Sequence, residues 1–244
     1  MIRIERLSKS FGHPVLRKVS LNVPEGCLYG LIGPGASGKS LLLKMITALM
    51  RPDEGRVVVG GEDVGAMTDL DLARFRLRFG MLFQNNALFD AMTVADNVAF
   101  PLRREGKLGE IEILERVAER LAAVSLGDFG GRIPSGLSGG QKKRVGVARA
   151  TITRAPIIFY DEPAAGLDPV TSQRIFDLLR AEQTRAKTTV IMVSSDIERL
   201  LTVTDRVGMM HRGELIFDGT TEEAKTCDDP YVKQFIHGLT EGPL

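Results

Sequence analysis

Hydrophobic residues in this chain fall into short runs separated by glycine, proline and charge, and the period of each run predicts an element. Ile2 to Leu7 and Val15 to Val23 alternate apolar and polar positions like strands, joined by the turn Ser10-Phe11-Gly12-His13-Pro14. Cys27 to Ile32, Val57 to Val59 and Phe79 to Phe83 read as further strands. Ile157 to Tyr160 is apolar throughout, as expected of a parallel strand with no wet face. Helical spacing runs through Leu41 to Met50, Leu70 to Arg78, and Gly109 to Val124, where Ile113, Val117, Leu121 and Val124 share a face. Asn85 to Pro101 mixes apolar and turn residues, and with the helix after it reads as a mostly helical insert. Beyond Ala150 the pattern predicts a helix over Pro169 to Arg185, strands over Thr188 to Val193, Arg206 to His211 and Glu214 to Asp218, and a helix over Ile197 to Thr202. A C-terminal helix uses Val232, Phe235 and Ile236.

With 244 residues, 43% of them hydrophobic, the chain can bury the core of one large α/β domain or of a domain with a subdomain. Lys and Arg total 32 against 31 Asp and Glu, and no block of like charge resembles a nucleic-acid arm, so no nucleic-acid partner is expected. The longest apolar stretch falls far short of the ~20 residues that span a bilayer. The first residues lack the apolar segment of a signal peptide, so the chain is expected to stay in the cytosol. Cys27 and Cys227 are far apart, as are His13, His211 and His237, and none suggests a metal site.

Three motifs carry chemistry. Gly33-Pro34-Gly35-Ala36-Ser37-Gly38-Lys39-Ser40, followed by Leu41, stands between a strand and a helix and fits G-x-x-x-x-G-K-[ST]. Small residues let successive N–H groups close around phosphate oxygens at the positive end of a helix dipole. Lys39 would reach the terminal phosphates, and the Ser40 hydroxyl a Mg²⁺ ion. Second, the strand from Ile157 ends in Asp161-Glu162-Pro163. An aspartate there can hold Mg²⁺, and the next glutamate can deprotonate an attacking water. Third, Leu137-Ser138-Gly139-Gly140-Gln141 opens a basic helix, with Ser138 as cap and two glycines baring N–H groups to an anion. A second anion-binding helix start in a chain that already has a phosphate loop implies a site shared between two chains.

Together these motifs resemble the nucleotide-binding subunits of ABC transporters over nearly the whole length. The resemblance implies ATP and Mg²⁺ as cofactors and a P-loop α/β core with a mostly parallel sheet, an antiparallel β subdomain and a helical subdomain. On that likeness the core takes 1–84 and 155–225, the helical subdomain 85–154, and the C-terminal helix and tail 226–244. Phe11 then matches the aromatic that stacks on adenine, and Gln84 the Q-loop residue beside Mg²⁺. Asp161 and Glu162 match the Walker B pair, Leu137 to Gln141 the signature, and Leu167-Asp168 the D-loop. The implied assembly is a homodimer that sandwiches two ATP molecules. A narrower likeness, through Met81 to Arg103, Ala164 to Pro169 and the tail from Asp229, is to MlaF-type ATPases of phospholipid transporters. It implies an MlaE-like permease, a possible STAS-domain (MlaB-like) protein and an MCE-domain (MlaD-like) protein, at the cytoplasmic face of the inner membrane. On this reading Leu88, Phe89 and Phe100 line a groove for a permease helix, and the final residues dock on the other ATPase subunit.

Two positions depart from the family pattern. Ala36 stands where glycine is usual, and its methyl group is expected to reshape the loop. Ser195 stands where the switch histidine is expected, so hydrolysis is expected to be slow, with the serine reaching phosphate only through water. A subunit that dimerises on ATP but barely hydrolyses it is the alternative, as is an ABC ATPase for another substrate.

Overall fold

The computed structural model describes residues 1–244. The alternating runs form β1 (Ile2–Ser10) and β2 (Pro14–Val23), which join β4 (Glu54–Val59) and β5 (Glu62–Asp63) in an antiparallel sheet ordered β2-β1-β4-β5. A second sheet holds β3 (Leu28–Ile32), β6 (Phe79–Leu82), β7 (Ile157–Asp161), β8 (Thr189–Val193), β9 (Arg206–His211) and β10 (Glu214–Thr220). Its order is β10-β9-β3-β8-β7-β6, and every pair is parallel except β9 with the edge strand β10. Nine helices surround the sheets: α1 (Lys39–Ile46), α2 (Asp69–Arg76), α3 (Val94–Glu105), α4 (Glu110–Ala123), α5 (Gly139–Thr151), α6 (Pro169–Ala186), α7 (Ile197–Val203), α8 (Thr221–Lys225) and α9 (Pro230–His237).

The strands without alternation are those covered on both faces. Along β7, Ile158 and Tyr160 enter the core shared with α3 to α6, while Ile157 and Phe159 enter the core shared with β1, α1 and α2. β3 and β8 divide the same way, with Leu28, Ile32, Val190 and Met192 on the first side and Tyr29, Leu31, Ile191 and Val193 on the second. Apart from Asp161 at the end of β7 every position on these strands is buried, and the Tyr160 hydroxyl lies in the core without a hydrogen-bond partner. The hydroxyl of the buried Tyr29 donates to Asp218 Oδ1 at 3.0 Å and so ties β3 to the edge strand β10.

Three elements differ from the sequence pattern. α3 begins inside the stretch that mixes apolar and turn residues and runs on through Pro101, which removes one helical N–H. It persists because Thr93 caps it, Val94, Val98, Ala99 and Leu102 are buried, and Arg103 joins Asp96 to Glu110 at 2.8 and 2.6 Å. β5 and α8 were too short to leave a periodic signal. The tail also turns back on its own chain: the Leu244 N–H donates to Gln234 Oε1 at 2.8 Å, and Val232 of α9 sits in the main core.

α4 and α6 are tied by an ion pair between Arg120 and Glu182, whose side chains keep only 11% and 9% of their exposure. Arg185 also donates to both Glu182 oxygens at 2.9 Å. Burial lowers the pKa of Arg120, with the Glu182 carboxylate opposing it. Breaking one side of such a pair leaves an uncompensated charge, typically at a cost of about 3 kcal/mol or more. Glu182→Ala is therefore expected to lower unfolding free energy by about 3 kcal/mol in denaturant titration, and a loss below about 1 kcal/mol contradicts the pairing.

Candidate active site

The phosphate-type loop leaves β3 at Gly33, whose φ is +138°, and a Cβ there would lie 2.0 Å from the carbonyl oxygen of Met210 on β9. Only glycine permits that approach. α1 starts at Lys39 without a side-chain cap, so its first-turn N–H groups remain free to face an anion. The Lys39 ammonium is folded into the loop, donating to Gly33 O at 2.7 Å, Pro34 O at 2.8 Å and Ser37 Oγ at 3.3 Å. Burial lowers its pKa, opposed by the carboxylates of Glu162 and Asp161. Ser40 is exposed and Leu41 half-buried at the start of the helix. Ala36 does not reshape the loop as expected: it adopts the left-handed conformation itself, at φ +58°, a strain of about 1 kcal/mol for a residue with a Cβ.

β7 delivers the two carboxylates. Asp161 is the last residue of the strand and pairs in register with Val193 of β8. Burial raises its pKa, and the neighbouring Glu162 charge adds to the rise while Lys44, Lys143 and Lys39 oppose it. Glu162 takes a left-handed φ of +49° and its N–H donates to Val193 O at 2.9 Å. Its Oε2 accepts both the N–H and the hydroxyl of Ser195, at 3.1 and 3.0 Å. The serine thus faces the glutamate directly, which the sequence reading did not foresee. Two donors fix one carboxylate oxygen, and Oε1 is left to accept a proton.

Gln84 lies two residues beyond Leu82, at the end of β6, with its side chain exposed. Its carbonyl accepts from the Lys143 ammonium at 2.5 Å, and the same ammonium donates to Glu162 O at 3.1 Å. Lys143 is 4% exposed. The sequence shows it only as part of a basic helix and gives it no role of its own, although Lys143, Gly146, Val147 and Ala150 recur at helical spacing on one face and are all buried. Burial lowers its pKa, with Glu162 and Asp161 opposing.

The remaining motif residues stand apart from this cluster. Ser138 caps α5 in a reciprocal box with Gln141, its N–H donating to Gln141 Oε1 at 2.8 Å. Leu137 is buried beneath it, while Ser138 and Gly139 are exposed and Gly140 and Gln141 half-buried. No hydrogen bond links Leu137–Gln141 to Gly33–Ser40 within the chain. Phe11 is 52% exposed on the turn between β1 and β2, with Lys9 Nζ 5.5 Å from its ring. Asp168 caps α6 by accepting from the Val170 and Thr171 N–H groups, both at 3.0 Å; the Thr171 side chain first, and then these backbone bonds, lower its pKa. Phe89 and Phe100 stack at 4.8 Å and stay partly exposed, whereas Leu88 packs on the main core. A cleft of about 930 Å³ touches none of these residues and lies at the opposite end of the sheet, beside Pro156 and Thr188.

Comparison with known proteins agrees with this geometry. A family model described as ABC transporter matches residues 16–165. The chain is 39% identical over 244 residues to the "Probable ribonucleotide transport ATP-binding protein mkl" of Mycobacterium tuberculosis, covering 100% of this chain and 68% of that protein. It is 39% identical over 226 residues to the "Methionine import ATP-binding protein MetN" of Caulobacter vibrioides, covering 91% of this chain and 68% of that one. Among solved structures, the dimeric ATP-binding cassette MJ0796 with ADP and Pi superposes with a TM-score of 0.84 at 30% identity, over 91% of this chain and 99% of the other. The cbiO1 protein of Clostridium perfringens, described as part of the ABC transporter complex cbiONQ, gives 0.85 at 27%, over 93% and 91%. The chain therefore belongs to the ABC transporter family, as one of its ATP-binding and ATP-hydrolysing subunits.

Proposed function

We propose that two copies of this chain bind ATP between them and power phospholipid movement between inner and outer membranes through an MlaE-like permease. The observation that supports the nucleotide site best is the Lys39 ammonium, held among three loop oxygens that phosphate oxygens can replace. In this reading residues 33–41 wrap the phosphates, Phe11 stacks on adenine, and Leu137–Gln141 of one copy close on the nucleotide of the other. Asp168 begins α6 beside that contact.

The residues fit a divalent cation. Burial and the neighbouring Glu162 charge raise the pKa of the half-buried Asp161 in spite of Lys44, Lys143 and Lys39, and the Ser40 hydroxyl is open to solvent, so a Mg²⁺ ion would relieve a charge that these lysines offset only in part. Ser40, Asp161 and Gln84 would hold the ion, which neutralises charge on the phosphates. Glu162 acts as general base through Oε1, while Ser195 holds Oε2.

The phospholipid reading is supported by the likeness of Met81–Arg103, Ala164–Pro169 and the tail to MlaF-type ATPases. The exposed Phe89 and the half-buried Phe100 that packs on it suit an apolar permease helix, with STAS-domain and MCE-domain proteins as further partners at the inner membrane. The names of the relatives favour a second reading, import of a ribonucleotide or of methionine. Reconstitution of the chain with its co-purified permease separates these. Stimulation of ATP hydrolysis by phospholipid vesicles supports the first reading, and stimulation only by a ribonucleotide or methionine overturns it.

Lys39→Ala is expected to abolish tight ATP binding, and unchanged affinity contradicts the phosphate loop. Glu162→Gln is expected to keep binding, slow hydrolysis by about 10² to 10⁴ and accumulate an ATP-bound dimer, measured by phosphate release and light scattering. Dimerless behaviour with the permease present contradicts the shared site.

A serine in the switch position supplies one short donor that is already spent on Glu162, and losing a donor at a developing charge costs about 10² to 10³ in rate. Turnover is therefore expected to be slow, and Ser195→His to raise it at saturating ATP with little change in affinity. A flat response identifies another donor to the phosphate.

The pKa of Asp161 gives a prediction of opposite sign for stability and activity. Its folded value is raised, so the charged form costs folding free energy once the pH exceeds the unfolded value, about 3.9. Asp161→Asn removes that cost. It is expected to raise the melting temperature of the nucleotide-free protein at pH 7, to lose this advantage below about pH 4, and to abolish Mg²⁺-dependent hydrolysis. A lower melting temperature at pH 7 would mean that the carboxylate stabilises the empty site.

A further inference from the structure

α5 presents two buried cations to the segment that follows β6. Lys143 takes the carbonyls of Gln84 and Glu162, at 2.5 and 3.1 Å. Arg149, 9% exposed, donates to Ala87 O at 2.7 Å and also to Asn86 O. Between them Gly146 lets the helix lie so close that a Cβ would stand 2.4 Å from Leu82 Cδ1. The segment so held is strained, because Asn86 and Ala87 are consecutive non-glycine residues at φ +60° and +47°.

The position of Lys143 follows from the sheet. β6 and β7 are parallel and paired through Leu82 and Tyr160, so Gln84 and Glu162 are the residues next but one in the same register. There the ladder ends and both carbonyls turn to α5; the Glu162 carbonyl also accepts the Ala165 N–H at 3.3 Å, a long contact that leaves room for a second donor. A methylene stem with a cation at its tip answers both. Glu162 is then pinned at three points: its N–H by Val193, its carboxylate by Ser195 and its carbonyl by Lys143. A left-handed residue with a side chain persists only when its surroundings over-determine it.

We propose that Lys143 is a positioning residue for ATP hydrolysis. It holds the Glu162 backbone in the left-handed conformation that aims the carboxylate, and it makes that conformation depend on where Gln84 lies. This rests on reading Glu162 as the general base. The amine bonds two backbone carbonyls and acts through Glu162.

The test uses the full-length chain with Mg²⁺-ATP. Lys143→Met is expected to lower turnover at saturating ATP by about 10- to 100-fold, the range for a misplaced catalytic group, while KM and ATP affinity stay within about twofold. Lys143→Arg, which keeps the charge and the donors, is expected to recover most of the rate. In a Glu162→Gln background Lys143→Met is expected to add no further loss, because the group it positions is gone. Full turnover in Lys143→Met overturns the proposal, as does an equal fold-loss in both backgrounds, or a fall in affinity that matches the fall in rate. If Glu162→Gln alone leaves turnover intact, the reading of the base fails whatever Lys143→Met does. Should the methionine variant not fold, Lys143→Arg and Lys143→Gln decide. The proposal then requires arginine to be about tenfold faster, and equal rates overturn it.

Discussion

The parallel pairing of β7 with β8, next to β3, is the constraint on which the site depends. Asp161 against Val193 sets the register. From that one pairing Glu162 falls opposite the turn that carries Ser195, and the loop leaving β3 falls one strand away, with Lys39 among the groups that feel both carboxylates. The crevice beyond the carboxyl ends of the strands is where open α/β sheets bind their ligands, and here it collects a lysine, two acids and a serine from three separate segments. Burial on both faces holds the register, since a slip of one residue would move Ile158 and Tyr160 into the other core.

Electrostatics at this point favours binding over rest. Asp161 is held charged at a cost, and Lys39 is drawn from water into a loop where carbonyl dipoles stand in for phosphate. On the proposed reading both groups would gain when Mg²⁺-nucleotide arrives, and the empty site would store part of the affinity that the filled site expresses.

The sheet and the three motifs were legible because their signals are local. An apolar run without alternation reports two dry faces, and glycines before a Lys-Ser pair report a helix start that faces an anion. What escaped was set by tertiary contacts. Ala36 takes a left-handed φ that its type disfavours, and Pro101 rides inside a helix held by packing. Lys143 sits among Lys142 and Arg144, so charge alone reads as a solvated face. Only the helical period shared with Gly146, Val147 and Ala150 marks it as inward-facing. Ser195 read as a missing histidine, and its bond to Glu162 depended on a register that a single sequence does not display.

α5 unites what the sequence presents as separate motifs. Its capped N-terminus bears the signature-like residues, Lys143 in its second turn holds the carbonyls of Gln84 and Glu162, and Arg149 in its last turn holds those of Asn86 and Ala87. A helix of 13 residues, about 20 Å long, moves as a rod. A displacement of the strained segment beside Phe89 therefore cannot be absorbed locally. It must either carry the signature with it or break buried charged hydrogen bonds, worth about 1.5 to 3 kcal/mol each. In the proposed assembly α5 would thus tie the segment beside Phe89 to both halves of the nucleotide site.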